Sequence, residues 1–131
     1  MQDLQCLALG IFFTTCITMS LKKVLIIDDE IDLCILLKNF FTKQNYEVVI
    51  SHKLSDGLRE ALDFLPDVIF LDNNLPDSMG WTKAEWFLKE FPQTDIFLIS
   101  AYKSAPSLPE NPRLTIIEKP LSLKVLEQLV S

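Results

Sequence analysis

The chain lacks the usual marks of a metal cluster, a disulfide scaffold or a nucleic-acid binder. Cysteine is scarce: Cys6, Cys16 and Cys34 are an odd count with no Cys-x-x-Cys spacing. Such a set speaks against a disulfide framework or a zinc site and for reduced thiols in a cytosolic setting. His52 is the lone histidine, and its polar neighbours place it on the surface. No run of Lys or Arg occurs, and the net charge is −6, so phosphate-driven binding of nucleic acid is not expected. No internal repeat and no low-complexity linker breaks the chain. What is present is 131 residues, 49% of them apolar, enough for one compact domain with a sizeable core.

The first twenty residues stand apart. "LQCLALGIFFTTCITM" is apolar but falls short of the ~20 residues of a comfortable membrane span. No basic residue precedes it, Asp3 lies where a signal peptide would carry positive charge, and no clear small-x-small cleavage site follows. Residues 1–20 are therefore read as an N-terminal extension outside the fold, in preference to a membrane anchor. The domain is expected over residues 21–131, starting at "LKKVLIIDDE".

From there strand and helix patterns alternate. "KVLIID" (23–28), "YEVVIS" (46–51), "DVIFLD" (67–72), "DIFLIS" (95–100) and "LTIIEK" (114–119) are short apolar runs rich in β-branched residues, as buried strands are. Between and after them lie helical patterns at 32–44, 54–65, 82–91 and 122–130. Pro66 and Pro92 stop the second and third. In the second, Leu58, Leu62 and Leu65 recur at helical spacing. Trp81, Trp86 and Phe87 do so in the third, as core and boundary residues. Strands separated by helices imply right-handed crossovers and a doubly wound parallel sheet covered on both faces. One link is irregular: "AYKSAPSLPENPR" (101–113) carries Pro106, Pro109 and Pro112, which forbid a regular helix and leave room for one turn starting at Pro106.

Parallel strands share one C-terminal edge, where ligands bind in open α/β sheets. The first strand ends in Asp28 and Asp29, followed by Glu30; the third in Asp72; the fourth in Ser100; the fifth in Lys119, followed by Pro120. Each piece alone is ordinary, since strand-end acids often cap helices and Lys-Pro is often a turn. The set at four strand ends carries the reading. Adjacent carboxylates repel, and a hard divalent cation such as Mg²⁺ removes the conflict, taking two carboxylates, a backbone carbonyl and waters. Lys119 and Ser100 would then hold oxygens of a phosphoryl group arriving on Asp72 as an acyl phosphate.

With "LIIDDE", "PDVIFLDNNLPDSMG", "LISA" and "EKP", residues 22–131 resemble the receiver domain of two-component response regulators. The resemblance implies a flavodoxin-like five-stranded parallel sheet in order 2-1-3-4-5, with the helix between strands four and five shortened or absent here. It implies Asp72 as phosphoacceptor, Asp29 with Asp28 beside it as Mg²⁺ ligands, the Asn74 carbonyl as a further ligand, Ser100 as switch hydroxyl, and Lys119 as phosphate-binding lysine before a cis Pro120. Asn74 and Tyr102 would shape water access. A histidine kinase or histidine phosphotransfer protein would be the donor, an unidentified downstream protein the target, and the cytoplasm the setting. Such a chain aids its own phosphorylation and dephosphorylation and is otherwise no enzyme. One departure is Ile116, where the family usually has Tyr or Phe. It motivates the alternative of a degenerate receiver serving as an interaction or dimerisation module. A Mg²⁺-dependent hydrolase using Asp72 is disfavoured, because Asn74 stands where a general acid would follow.

Overall fold

An apolar run unbroken by polar residues suits a strand only if both of its faces are covered, and the central strands here meet that condition. The structure, a computed structural model, describes residues 21–101 and 110–130. Strands β1 (Lys22–Ile27), β2 (Tyr46–Ser51), β3 (Val68–Asp72), β4 (Asp95–Ser100) and β5 (Leu114–Glu118) alternate with helices α1 (Ile31–Lys43), α2 (Leu54–Phe64), α3 (Trp81–Glu90) and α4 (Leu123–Val130). All strand pairs are parallel, in the order β2-β1-β3-β4-β5. Element ends fall within one or two residues of those expected. The flavodoxin-like, doubly wound fold and its strand order are as anticipated.

The two-residue period of a strand divides the core. Leu25, Ile27, Ile69, Leu71, Ile96 and Leu98 meet α2 and α3 on one face. Val24, Ile26, Phe70, Ile99 and Ile117 meet α1 and α4 on the other. Phe87 is fully buried, while Trp81 and Trp86 pack at the margin of the first layer, as their spacing suggests. Helix α2 lies close over β1: a Cβ added at Gly57 would stand 2.5 Å from Ile27 Cδ1. That close packing rotates α2 so that Leu54, Gly57 and Ala61 face inward and Leu62 faces solvent. Leu65 is also exposed, in a left-handed conformation (φ 53°) that closes the helix before Pro66.

Among the described residues no helix lies between β4 and β5. Residues 102–109, with Tyr102 and the turn expected at Pro106, lie outside the described residues, as does the extension at 1–20. Arg113 ties the end of this crossover to α3: its guanidinium donates to the carbonyls of Leu88 (2.7 Å), Phe91 (2.9 Å) and Thr94 (2.7 Å). Among the described residues no helix is long and apolar enough to cross a membrane.

Candidate functional site

Register decides which strand ends meet. Ile27 pairs with Leu71, so Asp28 and Asp72 end up side by side. Asp72 pairs with Ile99 and Ser100 with Glu118, which puts Ser100 and Lys119 next along the same rim. One carboxylate oxygen each from Asp28, Asp29 and Asp72 lie within 4.8 Å of one another. Lys119 Nζ reaches into this cluster, 3.5 Å from Asp72 Oδ1 and 3.9 Å from Asp28 Oδ2. It also donates to Glu30 Oε1 at 3.1 Å. The Lys119–Pro120 peptide is cis, as expected.

Burial is uneven across the set. Asp28, Asp72 and Ser100 are buried, while Asp29 is exposed. Asp28 Oδ1 accepts the Glu30 N–H at 2.8 Å, but Oδ2 is buried and accepts no hydrogen bond. A buried carboxylate without full solvation resists ionisation. Burial accordingly raises the Asp28 carboxyl to about 6, against the Glu30 N–H that favours its charge, and the Asp72 charge adds to the rise. Burial raises Asp72 as well, opposed by Lys119 and by the Asn74 N–H, which donates to Oδ1 at 3.3 Å. Burial pulls Lys119 down, yet Asp28, Asp72 and Glu30 together outweigh it and hold its ammonium charged above the usual range. An unsatisfied buried oxygen among three clustered carboxylates is the donor set a hard divalent cation suits, so the residues fit Mg²⁺.

The segment behind Asp72 is held as a compact loop. The Asn73 N–H donates to the Ile99 carbonyl (2.8 Å), and the Asn73 carbonyl accepts from Gly80 N–H (2.8 Å). Asn73 Oδ1 accepts the Trp81 N–H at 3.0 Å and so caps the start of α3. Asn74 pairs with Met79 in an antiparallel bridge. The loop passes so close to itself that a Cβ at Gly80 would stand 2.4 Å from the Asp72 carbonyl oxygen. Glycine is needed there for close approach.

The structure thus gathers Asp28, Asp29, Asp72, Ser100 and Lys119 on one rim, with Asn74 two residues beyond Asp72. Ile116 lies outside the cluster on β5, 39% exposed. Contacts of four residues around the site escaped the sequence reading. Glu30 was visible but its pairing with Lys119 was not. Cys34 is buried as expected for a small core residue, and burial, with the Asp28 charge, raises its thiol to about 12; its Sγ donates to the Asp28 carbonyl at 3.3 Å. His52 is exposed as expected, yet its Nδ1 lies 2.9 Å from that same carbonyl, which requires Nδ1 to carry the proton. Asp77 was not singled out; its carboxylate accepts the N–H groups of Leu54 (2.8 Å) and Ser55 (3.0 Å) at the start of α2.

Comparison with known proteins gives a consistent family. The model described as "Response regulator receiver domain" matches residues 24–131. The transcriptional regulatory protein CitT of Halalkalibacterium halodurans is 34% identical over 118 residues, covering 82% of this chain and 50% of CitT. The transcriptional regulatory protein YxdJ of Bacillus subtilis is 30% identical over 111 residues, covering 81% of this chain and 47% of YxdJ. The chain spans about half the length of these two relatives. Among solved structures, a CheY-like receiver domain protein of Methanospirillum hungatei superimposes with a TM-score of 0.73 at 24% identity, over 85% of this chain and 91% of that one. The response regulator TrrA of Thermotoga maritima, solved in complex with Mg(2+)-BeF, gives 0.73 at 23% identity, over 84% and 96%.

Proposed function

This chain belongs to the response regulator receiver domain family, and from that membership we propose that it accepts a phosphoryl group on Asp72 from a histidine kinase or histidine phosphotransfer protein. The receiver comprises residues 21–131, with residues 1–20 outside it, and works in the cytoplasm through protein contacts. The observation that carries the reading is the meeting of Asp72 with Asp28, Asp29 and the Lys119 ammonium at one rim. Mg²⁺ would be held by Asp28, Asp29, Asp72 and the Asn74 carbonyl, and when bound it neutralises charge on the phosphoryl oxygens and the carboxylates. A phosphoryl-transfer site needs mainly position and electrostatics from the protein. Asp72 supplies the attacking oxygen: its O–P bond forms as the donor's N–P bond breaks, and the imidazole leaves and takes up a proton. Lys119 holds a phosphoryl oxygen as a point charge, and the Ser100 hydroxyl donates to another. TrrA, alike in fold, carries Mg(2+)-BeF, which supports the same chemistry here.

The test is incubation of the protein with Mg²⁺ and acetyl phosphate, followed by intact mass. The expected result is one added phosphoryl group on the wild type and none on Asp72→Asn. No gain, or a gain that persists in Asp72→Asn, overturns the reading. The exposed Ile116 in place of an aromatic side chain favours a second reading, a receiver that serves as a binding or dimerisation module without switching. Partner affinity unchanged by phosphorylation would decide for it.

A further inference from the structure

We propose that Asp77 is a positioning residue that ties the loop behind Asp72 to the first turn of α2 and so sets where Asn74 stands relative to the Asp28–Asp29 pair. The inference rests on the proposed role of Asp72 and Mg²⁺. Helix α2 begins without a cap of its own: its N-cap residue is Lys53, whose side chain makes no capping hydrogen bond and has no acceptor to offer. The free N–H groups of a first helical turn need acceptors, and those of Leu54 and Ser55 find both oxygens of Asp77, 23 and 22 residues further along the chain. Residues next to a helix are the common source of such a cap. Here it comes from the tip of the acceptor loop.

The other end of this link is also anchored. His52 Nδ1 lies 2.9 Å from the Asp28 carbonyl, and the Asp28 N–H donates to the Ser51 carbonyl at 3.0 Å. The turn before α2 is therefore fixed to the end of β1, where the acid pair stands. Gly57 seats the helix so tightly on Ile27 that it has little room to slide. Asp77 thus joins the acceptor loop to a fixed point beside the acid pair, by a route separate from the β1–β3 pairing. Within the loop, residues 74–79 are tied to one another by the Asn74–Met79 bridge and a Leu75 N–H to Ser78 carbonyl bond. They are tied to their immediate flanks by the Asn74 N–H to Asp72 Oδ1 bond and the Thr82 hydroxyl to Met79 carbonyl bond, while Leu75 is buried in the core. The Asp77 carboxylate is what hydrogen-bonds them to α2.

A plain capping role predicts something different, and the two separate experimentally. Asp77→Ala removes both cap and tether. Adding Lys53→Ser supplies a local N-cap without restoring the tether, and the pair leaves net charge as in the wild type. Mg²⁺ alone is titrated calorimetrically, with thermal melting and amide hydrogen exchange in parallel. Expected is a loss of about tenfold in Mg²⁺ affinity for Asp77→Ala, typical of groups that support metal ligands from outside their shell. In the double variant the melting temperature should recover, the weakened Mg²⁺ affinity should remain, and exchange at residues 74–79 should stay raised while α2 is protected. Wild-type Mg²⁺ affinity or wild-type protection of residues 74–79 in the double variant overturns the proposal. A wild type that binds no Mg²⁺ defeats the reading of the site instead, and the exchange pattern then decides the tether by itself.

Discussion

Asp28 offers the most direct test of the site's electrostatics. In the metal-free protein its carboxyl is raised from 3.8 to about 6, first by burial and further by the Asp72 charge. The sign follows from linkage. Between those two values the unfolded chain has released this proton while the folded protein still holds it, so raising the pH favours unfolding. Below about 3.8 the residue carries no penalty, and above about 6 the penalty is complete. A difference of that size corresponds to about 3 kcal/mol. Asp28→Asn removes the charge while keeping an oxygen for the Glu30 N–H. The metal-free variant should therefore match the wild type near pH 4 and exceed it by up to about 3 kcal/mol at pH 7.5. Urea unfolding in the presence of EDTA, followed by tryptophan fluorescence at both pH values, measures the difference. Saturating Mg²⁺ should raise the wild type by mass action and leave the variant nearly unmoved. An Asn variant no more stable at pH 7.5, or equally favoured at both pH values, refutes the reasoning.

Other expectations concern the scaffold. Gly80→Ala drives a Cβ to 2.4 Å from the Asp72 backbone oxygen and should cost about 1–3 kcal/mol together with Mg²⁺ affinity. Gly57→Ala meets the Ile27 side chain, Cδ1 at 2.5 Å and Cγ1 at 2.8 Å, where Gly80→Ala meets backbone, and it regains about 1 kcal/mol of helix propensity, so it should cost less. Equal urea midpoints for the two variants would contradict this. Arg113→Met leaves the carbonyls of Leu88, Phe91 and Thr94 without their guanidinium donor and should lower stability by about 2 kcal/mol; an unchanged unfolding midpoint would show that the clamp is idle.

By itself, the sequence determined the layers and the rim. Runs such as "VLII" and "VIFL" are apolar at every position, which only a strand covered on both faces tolerates, and Pro66 and Pro92 bound the helices between them. Because parallel strands all point one way, Asp28, Asp29, Asp72, Ser100 and Lys119 had to emerge at one edge; no knowledge of side-chain geometry was needed. Tertiary structure alone decided what those side chains touch. Lys119 donates to Glu30 across 89 residues, Asp77 caps a helix 22–23 residues behind it, and Arg113 closes the end of α3. It also turned Leu62 outward although its spacing matched Leu58. Backbone N–H and C=O groups are the same at nearly every residue, so a side chain's choice among them leaves no pattern in the sequence. It is fixed only when packing, such as Gly57 against Ile27, sets where each helix begins and how it is rotated.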